Sequence, residues 1–248
     1  IGVRLVGSEM CIRDSLKEDY IMKKGIAASK GYAIGTVFIQ EHEEIIISDA
    51  KVSDIAAEKE KLSKALAQSK EQLEAIKEKT ANEIGEHEAQ VFEAHLMLLD
   101  DVEFTGQMEM TIENDQLNAM KAVQNVTDTF VMIFDSMDDP YMRERAADIK
   151  DVSKRIIANL AGKGGNGMEN VGVNTVVVAH DLTPSDTAQL DRSKVIGFLT
   201  NIGGRTSHSA IMARTLEIPA VVGLGDITTS VKNGDTVTVS YTHLTLPT

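Results

Sequence analysis

The sequence holds 248 residues, 42% apolar and 25% charged, the balance of one large or two ordinary folded domains and not of a disordered segment. A formal net charge of −13 argues against a nucleic-acid partner, since phosphate backbones are bound by basic surfaces, and the single cysteine, Cys11, excludes an internal disulfide framework or a cysteine-based zinc site. No stretch approaches the roughly 20 apolar residues of a membrane span. Residues 1–14 carry scattered charges and do not read as a signal peptide, so a cytoplasmic protein without membrane insertion is expected.

Residues 1–21 and 240–248 show no clear period and match no neighbouring pattern; they read as a non-native extension and a non-native tail. Residues 24–40 read as a glycine-punctuated loop entering a strand at 34–40. From Ser53, a candidate helix cap, Ile55, Leu62, Leu66, Leu73 and Ile76 follow the steps of a long amphipathic helix with a coiled-coil-like seam. Helical patterning continues over 86–99, 102–112, 118–137 and 141–160, with Pro140 placed to open the last helix. Residues 162–167 read as a hinge. The pattern then turns β/α: strand 175–179, a short helix near 185–190, strand 195–200, helix 208–216, and strands 219–222 and 235–239. With the strand at 34–40 joining this sheet, residues 22–48 and 161–239 form one α/β domain, into which an all-helical domain, 49–160, is inserted.

The run GGRTSHSAIMAR, 203–214, carries the chemistry. Gly203 and Gly204 follow a strand and permit close backbone approach or positive φ. Thr206 or Ser207 can cap the helix that begins near His208. That helix start offers unpaired N–H groups and the positive dipole end to an anion, and Arg205 adds a planar fork of donors suited to phosphate. A neutral imidazole so placed can attack phosphorus. A glycine turn ahead of a serine-capped helix with a merely solvated histidine fits the same spacing, which does not choose between the two. No Gly-Lys-Ser/Thr follows as in a Walker loop, and no second ligand stands at metal spacing.

GGRTSHSAIMARTLEIPAVVG closely resembles the phosphohistidine motif of Enzyme I of the bacterial phosphoenolpyruvate:sugar phosphotransferase system. GIAASKGYAIG (25–35) resembles that family's start, VFEAHLMLLDD (91–101) its carrier-binding segment, and ERAADIKDVSKRI (144–156) and DLTPSDTAQL (181–190) its later markers. The resemblance implies a swivelling α/β phosphohistidine domain with an inserted helical-hairpin domain that docks the carrier protein HPr. His208 matches the phosphorylated residue, reacting through Nε2, and Thr187 the threonine that orients its ring. Glu86, His95, Met97, Leu98, Asp101, Glu103 and Arg145 match positions facing HPr, and Phe104 stands where leucine is more usual. Core packing explains Met97 and Leu98 almost as well, and a helix histidine such as His95 is commonly just solvated. The acidic residues of this unit suit steering of a positive carrier face.

The family's C-terminal barrel, which binds phosphoenolpyruvate with Mg²⁺ and makes the dimer, has no counterpart in this sequence. A monomer without cofactor, exchanging phosphoryl groups only with phospho-HPr, is therefore expected. Replacement of the last strand region by residues 240–248 is expected to leave backbone groups unpaired. Two other readings stand beside this one. A pyruvate phosphate dikinase or phosphoenolpyruvate synthase carries a similar GG-x-TSH motif, but the helical insertion and the start at 25–35 disfavour it. A non-catalytic helical binding module would leave His208 silent. The absence of an extra sensory domain at the front favours the sugar branch over the nitrogen branch.

Overall fold

The computed structural model describes residues 7–13, 20–40, 45–164 and 171–242; parts of the expected hinge and of both terminal segments lie outside these. In chain order, β1 (Gly7–Arg13), β2 (Tyr20–Lys24), β3 (Ile26–Ser29) and β4 (Gly31–Ile39) lead into the helices α1 (Ile55–Glu83), α2 (Glu86–Asp100), α3 (Val102–Asp115), α4 (Ala119–Asp135) and α5 (Pro140–Leu160). The chain returns through β5 (Thr175–Ala179), α6 (Pro184–Ala188), β6 (Val195–Thr200), α7 (His208–Thr215), β7 (Ala220–Val222), α8 (Ile227–Ser230) and β8 (Thr236–Thr242). Two units result, Ile1–His42 with Asn166–Thr248, and Glu43–Gly165, so a helical unit interrupts an α/β unit.

Among the described residues the α/β unit has one mixed sheet, ordered β2-β1-β8-β4-β5-β6-β7-β3. Strands β4 to β7 run parallel, while β8 pairs antiparallel with β4 and β3 antiparallel with β7. Only Lys30 separates β3, at one edge, from β4 near the middle, so the sheet must curl to bring the two together. β5, TVVVA, is buried at every position, as expected of a parallel strand covered on both faces. Val176, Val178, Leu199, Val221 and Val237 form one core layer with Leu224, Ile227 and Val231 around α8.

The short elements β3 and α8 add to those expected. β1 and the end of β8 also belong to the sheet, although both fall within the segments that the sequence pattern sets apart. β8 lies between β4 and β1, with Ser240 opposite both Tyr32 and Glu9, so its backbone is not the unpaired edge expected there.

The helical unit follows its hydrophobic period. Leu62, Ala65, Ser69, Leu73, Ile76 and Thr80 form the buried stripe of α1. Its cap is Asp54, one residue beyond the expected Ser53, with the carboxylate accepting the Ala57 N–H at 3.0 Å. A polar seam joins α1 to α5: Asn159 Nδ2 donates to Ser69 Oγ at 2.8 Å, and Gln72 Nε2 donates to Asn159 Oδ1 at 2.9 Å. Glu58, 9% exposed, fastens α1 to the start of α4 by accepting the Ala119 N–H at 2.9 Å, while Lys61 Nζ donates to its other oxygen at 2.6 Å.

Burial raises the Glu58 pKa, but the bonds from Lys61 and Ala119 outweigh it and hold the carboxyl below the usual glutamate value of 4.5. A depressed folded-state pKa contributes stability above the unfolded value that is lost as pH falls through the folded value. Glu58→Gln should therefore lower the urea midpoint at neutral pH, and its gap to wild type should shrink below about pH 4.5. A gap independent of pH would contradict this account. In the other unit, a Cβ on Gly35 would stand 2.4 Å from the Asn174 carbonyl oxygen, which is itself held by the Thr36 N–H at 3.0 Å. Gly35→Ala should cost about 1–3 kcal/mol in chemical denaturation.

Candidate functional site

Neighbouring parallel strands β5 and β6 each release a helix from their C-terminal ends, the edge at which open α/β sheets bind ligands. α6 opens with a capping box: Thr183 Oγ1 accepts the Asp186 N–H at 3.2 Å, and Asp186 Oδ2 accepts the Thr183 N–H at 3.1 Å. Pro184, at the first helical position, is pre-set for the turn. The box fixes Thr187, 1% exposed, whose Oγ1 lies 3.1 Å and 3.0 Å from the carbonyl oxygens of Thr183 and Pro184.

α7 starts at His208 behind Ser207, whose extended backbone and side chain form the cap. Ser207 Oγ accepts the Ala210 N–H at 3.3 Å and donates to the Gly204 carbonyl at 2.8 Å, which closes the loop onto the helix. Gly203, at φ +119°, takes a conformation that side chains rarely adopt. Gly204 differs from that expectation: a Cβ there would meet nothing within 4 Å, so its contribution is open space beside the loop. Arg205 and Thr206 are exposed, and the Arg205 carbonyl is held from within. The holder is Arg214, one residue from the end of α7, whose Nη1 donates to the Arg205 carbonyl at 3.0 Å and the Ala28 carbonyl of β3 at 3.1 Å. Arg214 lies inside the motif, but only the folded chain shows it bonding back onto the loop.

These elements bring His208 Nε2 to 3.4 Å from Thr187 Oγ1. Two proton arrangements satisfy the pair. With the ring proton on Nε2, histidine donates and the Thr187 proton goes to a backbone carbonyl; with it on Nδ1, threonine donates to the Nε2 lone pair. Only the second leaves Nε2 a nucleophile. At 3.4 Å the bond is longer than the preferred range and contributes at most a few tenths of a kcal/mol, roughly, so it orients the ring and is easily given up. His208 is itself the first residue of α7, and a helix start favours negative charge nearby. Among the described residues, no group of three or more His, Cys, Asp or Glu side chains is arranged to hold a metal ion.

The residues matched to carrier docking divide into two sets. Met97 is 72% exposed, Glu86, Asp101 and Glu103 are exposed, and Leu98 and Arg145 are half-buried. Asp101 also caps α3 by accepting the Glu103 N–H at 2.7 Å, and Arg145 pairs with Asp148 at 3.6 Å. His95 and Phe104 need correction, because each is 0% exposed and cannot touch a partner as it stands. His95 lies between Phe92 and Leu99 on the inner face of α2, edge-on to the Phe92 ring, with Nε2 3.3 Å from Asp148 Oδ1. Phe104 joins Met108 and Ile112 on the inner face of α3 and stacks edge-on with Phe130.

Residues 24–145 match the family described as PEP-utilising enzyme, N-terminal, and residues 172–243 the PEP-utilising enzyme, mobile domain. The chain is 51% identical over 220 residues to a phosphoenolpyruvate-protein phosphotransferase of Enterococcus faecalis, covering 88% of this chain and 38% of that protein. It is 48% identical over 215 residues to the phosphotransferase of the same name from Geobacillus stearothermophilus, covering 87% and 37%. It thus spans less than two-fifths of the length of these relatives. A solution structure of Enzyme I superposes with a TM-score of 0.75 at 46% identity, over 88% of this chain and 89% of that one. The N-terminal domain of Enzyme 1 – Nitrogen shares the fold, with a TM-score of 0.61 at 23% identity over 88% and 90%.

Thr187→Val removes the hydroxyl at nearly constant volume. It should leave the fold intact and shift the His208 ring ¹⁵N resonances and tautomer ratio in long-range NMR spectra. Unchanged ring resonances would show that the 3.4 Å contact does not orient the imidazole.

Proposed function

Because the chain belongs to the Enzyme I family of phosphoenolpyruvate-protein phosphotransferases and matches its N-terminal region, we propose that it relays phosphoryl groups through His208 to and from a histidine of the carrier HPr. The observation that carries this reading is the placement of His208 Nε2 at the start of a capped helix, 3.4 Å from a buried threonine hydroxyl. In the transfer, the ring proton of His208 sits on Nδ1 and the Nε2 lone pair attacks phosphorus. A new P–N bond forms as the P–N bond to the carrier imidazole breaks, and the electron pair returns to that ring. Thr187 yields its place at Nε2 to the phosphoryl group. Gly203, Gly204, Arg205, Thr206 and Ser207 form the loop around it, with the helix start and the Arg205 guanidinium offsetting its charge.

In the whole protein, phosphoenolpyruvate is the donor and Mg²⁺ acts with the C-terminal domain. This stretch exchanges phosphoryl groups with phospho-HPr, in the first step of sugar uptake. Docking falls to the helical unit, where exposed Met97 with Leu98 offers an apolar contact and Glu86, Asp101, Glu103 and Arg145 a charged surround. Acidic groups there raise the encounter rate with a basic carrier face more than the final affinity.

The chain, incubated with phospho-HPr, should gain acid-labile phosphate on His208, and His208→Ala should abolish the label without lowering the melting temperature by more than a degree or so. Phosphate appearing only with a nucleotide would favour the dikinase-like reading, and no labelling at all the silent helical module. Met97→Asp should raise the KM for carrier by about tenfold or more, as loss of an apolar anchor does, with kcat retained.

A further inference from the structure

Asn201 follows β6 directly and stands two residues ahead of Gly203. It is 8% exposed, and an amide so buried costs free energy unless its polar atoms are met. Segments distant in sequence meet them. Oδ1 accepts the backbone N–H of Thr228 at 3.0 Å, Nδ2 donates to Thr228 Oγ1 at 2.8 Å, and Nδ2 also lies 3.2 Å from His180 Nδ1. A backbone N–H can only donate, so it fixes which side of the amide is oxygen. The nitrogen side then faces His180, whose Nδ1 accepts and whose ring proton sits on Nε2.

This bridge replaces a missing local cap. Thr228 lies in the first turn of α8, whose N-cap residue Asp226 makes no side-chain cap bond, its carboxylate being taken by Lys23. Asn201 therefore caps α8 from the end of β6. The backbone reinforces the link: Asn201 N–H donates to the Ala179 carbonyl at 3.1 Å, and Gly225 N–H donates to the Asn201 carbonyl at 2.8 Å. Ile202 N–H reaches the His180 carbonyl at 3.1 Å, and a Cβ on Gly223 would stand 3.1 Å from the Gly203 carbonyl oxygen. The β7–α8 loop and the end of β5 thus grip the chain where the 203–207 loop departs.

We propose that Asn201 is a positioning residue for phosphoryl transfer: by bridging His180 and Thr228 it fixes the origin of the 203–207 loop and so the aim of His208 Nε2. The proposal rests on the reading of His208 as phosphoryl acceptor, and its test separates the two. Asn201→Ala removes the bridge. Asn201→Asp keeps it, accepting the Thr228 N–H and hydroxyl and, once the ring proton moves to Nδ1, a bond from His180. In the 248-residue chain, Asn201→Ala should lower kcat for exchange with phospho-HPr by about 10- to 100-fold, as small misplacements of a reacting atom do, with KM for carrier unchanged. It should also shift the His208 ring ¹⁵N resonances of the unphosphorylated chain, and Asn201→Asp should restore both. Should Asn201→Ala not fold, Thr228→Val, which removes only the hydroxyl contact, should produce a smaller change of the same sign in both readouts. Wild-type kcat and ring resonances in Asn201→Ala, even with a lower melting temperature, would overturn the proposal, as would equal loss of kcat in the Ala and Asp variants. If wild type accepts no phosphoryl group, the reading of His208 falls, while the ring resonances still decide whether Asn201 positions it.

Discussion

The pairing of His208 with Thr187 fixes Nε2 at the C-terminal edge of the sheet, and this constraint organises the α/β unit. Thr187 and His208 sit on helices leaving adjacent parallel strands, so the register of β5 against β6 sets the distance between hydroxyl and imidazole. Neither helix is long: α6 has five residues and α7 eight. Propensity cannot hold such pieces, since isolated helices this short are unstable in water. Their caps and their packing on the sheet must do it. The capping box at Thr183, the Ser207 cap and the buried Ala210, Met212 and Ala213 are therefore part of the site as much as the reacting ring is.

The contacts around the loop and at the His208 ring are graded in length. Two scaffold bonds around the loop are short, Arg214 to the Arg205 carbonyl at 3.0 Å and Ser207 to the Gly204 carbonyl at 2.8 Å. The bond at the reacting atom is the long one, 3.4 Å. A stronger bond to Nε2 would oppose phosphorylation by the same free energy with which it oriented the ring. In the proposed transfer, the weak one offers little opposition to the incoming group.

Legibility from sequence follows the range of the forces involved. His208 is marked because glycine, a capping serine and the helix start are neighbours in the chain. The long helices are marked because a buried stripe repeats through α1 from Leu62 to Thr80. Asn201 carries no local mark, since its partners His180 and Thr228 lie 21 and 27 residues away. β3 and α8 are four residues each, too short for a period to register. His95 and Phe104 are different, because the signal was present. Phe92, His95 and Leu99 step by three and four, as do Phe104, Met108 and Ile112, which places both residues on inner faces. A resemblance to a docking segment does not distinguish inner from outer positions, and it is a residue between those steps, Met97, that reaches solvent.

A buried His95 still bears on the proposed docking, by an indirect route. Its Nε2 meets Asp148 on α5, and Asp148 in turn pairs with Arg145 one helical turn earlier. The imidazole therefore ties α2, which carries Met97, to the helix that carries Arg145. A partner that needs an apolar contact from one helix and a guanidinium from the other requires those helices in fixed register. An apolar residue in place of His95 would fill the space but leave the Asp148 carboxylate without one of its partners, and leaving a half-buried carboxylate partly unmet is costly. In the proposed docking, the histidine serves a face it does not reach, by tying the helix of Met97 to that of Arg145.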